Sequence, residues 1–390
     1  MLALDLALKN LKGAGLRTWL NVIVLSFSYV LIIWSQGIYV GMGEQISRAM
    51  IDSEIGGGQY WCAKYDPYDP LTLDDSHAPV PSELQGLIKI GKTTPILIRQ
   101  AAVYAGGRMR TVLMKGIDPG QSVLDLPATG LATETETLPV LIGRRMARST
   151  GLKNGDYFTV RWRDARGAFD AVDGRVVVVM ETPVESVDSN HIWVPLDKMR
   201  KMTGMPGEAT IIVNSKEITD GAVIPGWNFK GYDLLLEEIR ALVKAKSTGG
   251  SIMYVFLLLL AAIAIFDTQI LAIFRRRKEI GTMIAMGMTR ANVVALFTFE
   301  GAMYGVLAAL LGAVYGIPLI ALTAVKGIPL ADAYGDMGFA LGTRLYPQYS
   351  ALLVIGTIIL VMTTVTFVSY LPSRKISKMN PTDAIRGKTS

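Results

Sequence analysis

The sequence predicts a membrane α-helical protein with four transmembrane helices and a large α/β extracytoplasmic domain inserted between the first and second. Three observations predict it. Of 390 residues, 51% are apolar and only 18% charged, whereas soluble domains carry about 25% charge. Four segments stay apolar over the ~20 residues that a bilayer crossing needs. Between the first two lies one long stretch where short β-type runs alternate with Gly, Pro and Asp.

Residues 1–18 carry Lys9, Lys12 and Arg17 and read as a cytoplasmic amphipathic helix. The first span, 19–42, contains WLNVIVLSFSYVLIIWSQGIYV. Its apolar core exceeds the ~7–15 residues of a signal peptide, and no small-residue cleavage site follows, so it reads as an uncleaved anchor. The inserted domain covers 43–250. ILIRQAAVYA (96–105), RTVLMKGI (110–117), YFTVRW (157–162), RVVVVM (175–180) and TIIV (210–213) read as strands, and Pro139 to Thr150 as a short helix. The domain's ends, 41–52 and 233–246, read as helical stalks; Leu235, Ile239, Leu242 and Lys246 recur at helical spacing, beside Leu236 and Val243. The second span is 251–274. The third, 291–325, is long enough to tilt or to break near Ile317-Pro318. A short external loop (326–347), the fourth span (348–371) and a tail (372–390) complete the chain.

Charge sets the orientation. The net charge is +6, and its basic residues cluster in 1–18, in the turn Arg275, Arg276, Arg277, Lys278 and Arg290, and in the tail at Arg374, Lys375, Lys378, Arg386 and Lys388. In the 326–347 loop, Lys326 and Arg344 are offset by Asp332 and Asp336. The positive-inside rule then puts both termini and the 275–290 turn in the cytoplasm and 43–250 outside it. That pattern assigns the basic excess to membrane topology rather than to nucleic acid. Cys62 is the single cysteine, and His77 and His191 are the two histidines. An intramolecular disulfide, a Cys cluster and a His-rich metal site are therefore excluded, and no catalytic Ser/His/Asp or Cys/His arrangement stands out. The 18 methionines read as adaptable packing rather than as metal ligands.

One motif points elsewhere. GLIKIGKT (86–93) matches the phosphate-loop pattern through Gly86, Gly91, Lys92 and Thr93. A working loop runs from a strand into a helix N-terminus. Here Pro81 to Ile90 reads as a helix that Gly91 caps, and Pro95 opposes a helix beginning after it. The match is taken as chance, with no nucleotide bound by this chain; a membrane-anchored NTPase is the reading that it would otherwise support. A secondary transporter or channel is another.

The turn RRRKEIGTMIAMGMTR is the most informative stretch. Its basic run precedes Ile280, Met283, Ile284 and Met288 on one helical face. Composition fits equally a helix lying on acidic lipid and a helix that docks a cytoplasmic partner. Polar residues inside spans are costly and often functional. Asp267 lies eight residues before Arg275, about 12 Å of helix; it reads as an inter-helix hydrogen bond, as a carboxylate reaching toward Arg, or as a functional group. Glu300 stands where a basic residue of the turn can pair with it. Asn21, Ser26, Ser28 and Gln36 either bond neighbouring helices or face a dimer cavity. Gly301-x-x-x-Gly305 and Gly312-x-x-x-Gly316 are close-packing motifs.

The stretch FRRRKEIGTMIAMGMTRANVVALFTFEGAMYGVLAALLGAVYG resembles the FtsX-like permease domain, shared by lipoprotein-releasing permeases, MacB-type exporters and related ABC transporter subunits. Arg276, Lys278, Glu279, Ile280, Gly281, Gly287, Glu300, Gly305 and Gly312 carry that resemblance. The ending YLPSRKISKMNPTDAIR is similar in Pro372, Asn380, Pro381, Ala384 and Arg386, and LALKNLKGAGLRTWL resembles the family's leading helix. In the inserted domain, KGIDP and PVLIGRRMARSTGLKNGDYFTV, with Gly143, Gly151, Gly155 and Asp156, resemble stretches of the lipoprotein-releasing and MacB-type subunits. Family members often carry Asn near position 267, so Asp267 departs from the pattern.

The resemblance implies a non-catalytic membrane subunit that works by mechanotransmission. ATP and Mg would sit on a separate cytoplasmic ABC ATPase, since the chain begins 18 residues before its first span. The ATPase-coupling residues implied are Arg275, Arg276, Arg277, Lys278, Glu279, Ile280, Gly281, Met283, Ile284, Met286, Gly287 and Met288. A second permease subunit, identical or paralogous, completes the membrane part, and a periplasmic adaptor is a further possible partner. The setting is the bacterial inner membrane. Release of lipoproteins suits the external domain best; efflux of hydrophobic drugs, peptides or haem, and regulation of a cell-wall hydrolase, are the alternatives.

Overall fold

The computed structural model of the protein describes residues 16–133, 136–182, 184–329 and 344–378. Most of the leading helix expected over 1–18, most of the 326–347 loop, and Asn380, Pro381, Ala384, Arg386 and Lys388 of the tail lie outside the described residues. The chain begins with helix α1 (Leu16–Met50) and strand β1 (Gly58–Cys62), then α2 (Ser82–Lys89), β2 (Thr93–Ala105), β3 (Arg108–Ile117), β4 (Leu138–Gly143) and α3 (Arg144–Thr150). Next come β5 (Tyr157–Arg163), β6 (Phe169–Met180), β7 (His191–Pro195), α4 (Leu196–Thr203), β8 (Ile211–Asn214) and β9 (Trp227–Gly231). Four helices close the chain: α5 (Glu237–Arg275), α6 (Arg277–Ala285), α7 (Arg290–Lys326) and α8 (Ala351–Ser373). These elements form two compact units: a β-unit built mainly on Gly43–Leu242, and a helical unit drawn from both sides of it in sequence.

In the β-unit the nine strands named above join in the order β9-β1-β8-β2-β3-β7-β4-β6-β5, and β5 also pairs with β2. The last six strands therefore close into a barrel. Long β2 makes closure possible. Its first residues, Thr93 to Ile96, pair with β8, and Ala101 to Tyr104 pair on with β5. Strand β5 shows why the inside is apolar: Phe158, Val160 and Trp162 are buried while Tyr157, Arg161 and Arg163 are exposed, the alternation of a strand with one face in a core. Leu97, Val103, Met114, Val140, Ile142 and Ile192 fill that core. A second apolar layer, with Ile96, Ile98, Ile117, Leu141 and Trp193, covers its outer face.

Several expectations need correction here. The helix expected from Pro139 to Thr150 is a strand followed by a helix. Every residue of LPVLIG is buried between β6 and β7, so that run is a strand covered on both faces, and only the amphipathic RRMARST coils. Strands β1, β7 and β9 were not expected. Each has five residues, too few for a period to declare itself. Strand β2 starts at Thr93 rather than 96 because Thr93 to Ile96 pair with β8, and β6 starts at Phe169 rather than 175 because Phe169 to Gly174 pair with β5. The helix expected over 233–246 is interrupted: Tyr232–Leu235 is one turn, fully buried Leu236 follows, and α5 starts at Glu237.

In the helical unit, α1, α5, α7 and α8 are each long and apolar enough to cross a membrane. Helix α7 does not break at Pro318; it runs unbroken to Lys326. Proline removes one N–H from the ladder, and the turns on either side carry the helix on. Val22, Leu25 and Tyr29 of α1 meet Tyr254, Leu258 and Ile265 of α5, Ala308 of α7 and Val361 of α8 in one buried cluster.

Candidate coupling site

The sequence RRRKEIGTMIAMGMTR folds as an elbow between α5 and α7. Helix α5 stops at Arg275, and Arg276 lies outside helical geometry (φ −99°, ψ 16°) before α6 begins. Gly287 ends the elbow at φ 98°, a conformation that side chains oppose and glycine accepts. Its N–H donates to the Ile284 carbonyl at 3.1 Å, and that of Met288 donates to Met283 at 3.1 Å, which satisfies the carbonyls left open at the helix end. The Thr289 hydroxyl then accepts the Asn292 N–H at 3.3 Å and starts α7.

Arg276 clamps this elbow to α7. Its Nη1 donates to both carboxylate oxygens of Glu300, at 2.9 and 3.2 Å, and its Nε to Glu279 at 2.7 Å. The guanidinium also lies 4.9 Å from the centre of the Phe297 ring. Side-chain exposure is 23% for Arg276 and 12% for Glu300, so this pair is largely sheltered from water, where such bonds are stronger. Burial works against the charged Arg276, but the Glu279 and Glu300 carboxylates outweigh it and its pKa is raised. Beneath the clamp, Ile273, Ile280, Val293, Phe297 and Ile376 form a buried cluster, with Met283 and Ile284 packed against it.

The elbow's other side is open. Arg275, Lys278, Glu279, Met286, Gly287 and Met288 are exposed, and Met286 is 76% so. Met288 was expected on the face of Ile280, Met283 and Ile284; it lies beyond α6, which ends at Ala285, and faces out. Arg277 lies over the Phe274 ring at 5.0 Å. Gly281 is buried beside Ile280.

The intramembrane polar residues separate into two kinds. Asn21 donates to Thr268 Oγ1 at 2.6 Å, Ser26 shares a hydrogen bond with Tyr315 at 3.2 Å, Ser28 donates to the Val24 carbonyl at 3.0 Å, and Gln36 bonds Ser251 and Ser247 at 3.3 Å. Asp267 is exposed on α5 and has no hydrogen-bond or ion-pair partner among the described residues. The two glycine pairs of α7 serve different neighbours. A Cβ on Gly301 would stand 2.3 Å from the Ser369 hydroxyl of α8, and one on Gly305 would stand 2.7 Å from the Met362 sulfur, also of α8. A Cβ on Gly312 or Gly316 would meet α1, at 3.3 Å from the Ser26 carbonyl and 2.6 Å from Val30 respectively. Phe297, Ile376 and Gln269, whose Nε2 also crowds Gly301, carry no local sequence pattern that marks their place here.

GLIKIGKT is the end of a helix and the start of a strand. Gly86 lies inside α2, Gly91 follows it at φ 71° and Thr93 opens β2. Lys92 is paired with Glu217, and the Thr93 hydroxyl donates to Asn214 at 3.3 Å. The helix thus turns its carbonyl end, not its N–H end, toward the segment.

Residues 251–381 match the family model described as FtsX-like permease C-terminal. The fit supports the FtsX-type ABC permease family. The FtsX-like segment holds the whole clamp: Arg276, Glu279 and Phe297 with Glu300. An uncharacterised ABC transporter permease of Methanocaldococcus jannaschii, MJ1507, is 26% identical over 232 residues, 55% of this chain and 55% of that protein. The chain thus spans about half the length of the curated relative it matches. Among solved structures, the extracellular domain of the noncanonical ABC-type transporter YknZ from Gram-positive bacteria aligns with 41% of this chain and 83% of its own, at 12% identity and a TM-score of 0.25.

Proposed function

We propose that the protein is the membrane subunit of an ABC transporter that works by mechanotransmission, with ATP and Mg held by a separate cytoplasmic ATPase. The Arg276 clamp carries this reading. It ties α6 to Glu300 inside α7, while Arg275, Lys278, Met286 and Met288 stay exposed. A partner pressing on that exposed side would move α5 and α7 together rather than bend a loose turn. The match to the FtsX-like family over this segment supports the same partner.

In this reading the elbow and both termini face the cytoplasm, as its basic run favours, and the β-unit faces away from it across the inner membrane. Two permease subunits pair, and exposed Asp267 faces the second subunit or the cargo, because a carboxylate left to hydrocarbon is costly. The chain itself performs no catalysis. The cargo is lipid-anchored or amphipathic, with lipoprotein release to the outer membrane as the specific activity. The test is co-purification with the ATPase and ATPase stimulation in nanodiscs. Lys278→Glu with Met286→Asp, both at exposed positions, should dissociate or uncouple the ATPase while thermal unfolding is unchanged. A complex with undiminished coupling in that variant overturns the reading.

A further inference from the structure

The β-unit contains a cavity of about 620 Å³, within the range of small-ligand sites. Its wall is mostly apolar: Trp61, Ile98 and Ile211 from the sheet, with Met50, Ile55 and Leu234. Lys115 also lines it. This lysine lies within the strand RTVLMKGI, opposite Ile98 on β2 and Trp193 on β7, and its side chain is only 7% exposed. Its Nζ stands 3.4 Å from Glu54 and 5.1 Å from the centre of the Trp193 ring.

That environment does not account for the ammonium. It has three donors, charge-assisted bonds of this kind usually span about 2.7–2.9 Å, and Glu54 is its one hydrogen-bonding partner among the described residues. A buried charge held by one long bond is costly unless a further acceptor meets it. A second ammonium, Lys230, lines the same cavity and lies 5.8 Å from the centre of the Trp61 ring. Three carboxylates line it too: Glu54, which faces Lys115, and Glu237 and Glu238, which are otherwise explained. The latter two open α5, where free backbone N–H groups favour carboxylates, and the Tyr68 hydroxyl donates to Glu238 at 2.9 Å.

We propose that this cavity binds a small apolar monocarboxylate of the fatty-acid type. Its carboxylate meets Lys115 and Lys230, and its apolar body lies against Trp61, Ile98 and Ile211. This inference is independent of the transporter reading, since binding needs neither ATP nor a partner.

The test is calorimetric titration of the full chain in nanodiscs, with protein-free nanodiscs as the blank and octanoate, octylamine and octanol as probes. Octanoate should bind saturably, about tenfold or more tighter than either other probe. Lys115→Met should weaken it by about tenfold, the scale of one charge-assisted bond, and Lys115→Arg should restore most of the loss. If Lys115→Met fails to fold by thermal melting, Leu234→Trp replaces it: Leu234 is 53% exposed, and the larger side chain narrows the cavity, so octanoate binding should fall likewise. Absence of saturable octanoate binding, equal binding of octylamine or octanol, or undiminished binding in these variants overturns the proposal.

Discussion

In the β-unit the large apolar side chains Leu97, Val103, Met114, Ile142, Val160 and Ile192 point inward and are buried. In the helical unit Phe256, Leu260, Leu310, Val314 and Phe367 stand outside, each more than half exposed, while Ser26, Gln269, Gly301, Gly316 and Ser369 are buried between helices. The difference follows from the surroundings. Water drives apolar groups into the barrel. Lipid tails are as apolar as leucine, so helices in a bilayer associate through close approach and hydrogen bonds instead. The Asn21–Thr268 bond and the contact of Gly301 with Ser369 are the helical unit's counterparts of the barrel core.

The sharpest way to break this contrast is truncation on both sides of it. Leu97→Ala in the barrel should destabilise the β-unit by about 2–5 kcal/mol, whereas Leu260→Ala on α5 should change stability in nanodiscs by less than about 0.5 kcal/mol. Equal losses in thermal unfolding would mean that the helical unit is packed like a water-soluble core.

Acid should separate the units next. Burial, with the nearby charge of Lys115, pulls the His191 pKa down to about 3 from 6.5. The unfolded chain then binds a proton that the folded chain refuses, so this stability is complete above pH 6.5 and is lost as pH falls toward 3. The slope is at most about 1.4 kcal/mol per pH unit. Chemical denaturation followed by tryptophan fluorescence should show the slope in the parent chain and a shallower one in His191→Gln.

Gly301→Leu should cost about 1–3 kcal/mol by overpacking against Ser369. Gly356→Leu, at a glycine of α8 with nothing within 4 Å of its Cβ position, should be nearly neutral in the same nanodisc melt. The smallest effect should come from the elbow's outer bond. Glu279 is 61% exposed, and Glu279→Ala should cost no more than about 0.5 kcal/mol. Glu300→Gln should cost more, because it leaves the sheltered guanidinium of Arg276 with a weaker partner; a double-mutant cycle with Arg276→Lys measures that coupling.

Much of this was legible in the chain itself. The four apolar segments, the basic turn and the FtsX-like run from Arg276 to Gly312 are local patterns, and a stretch of ~20 apolar residues needs no distant partner to declare itself. GLIKIGKT was legible as a helix end because Pro81, Gly91 and Pro95 restrict the backbone within a few residues. Barrel closure was not, because it rests on Ala101 to Tyr104 meeting β5 far along the chain, Ala101 opposite Trp162 and Tyr104 opposite Thr159. Nor was LPVLIG legible as a strand, since burial on both faces removes the alternation that marks one. The candidate sites divide the same way. Charge and glycine spacing marked the elbow, but the choice of Arg276 among its basic neighbours, the outward turn of Met288, the isolation of Asp267, and the burial of Lys115 beside Glu54 and Trp193 all depend on which helix or strand packs alongside. Local sequence sets backbone preference and hydropathy; the partner of a charge is set by residues brought near it only when the chain folds.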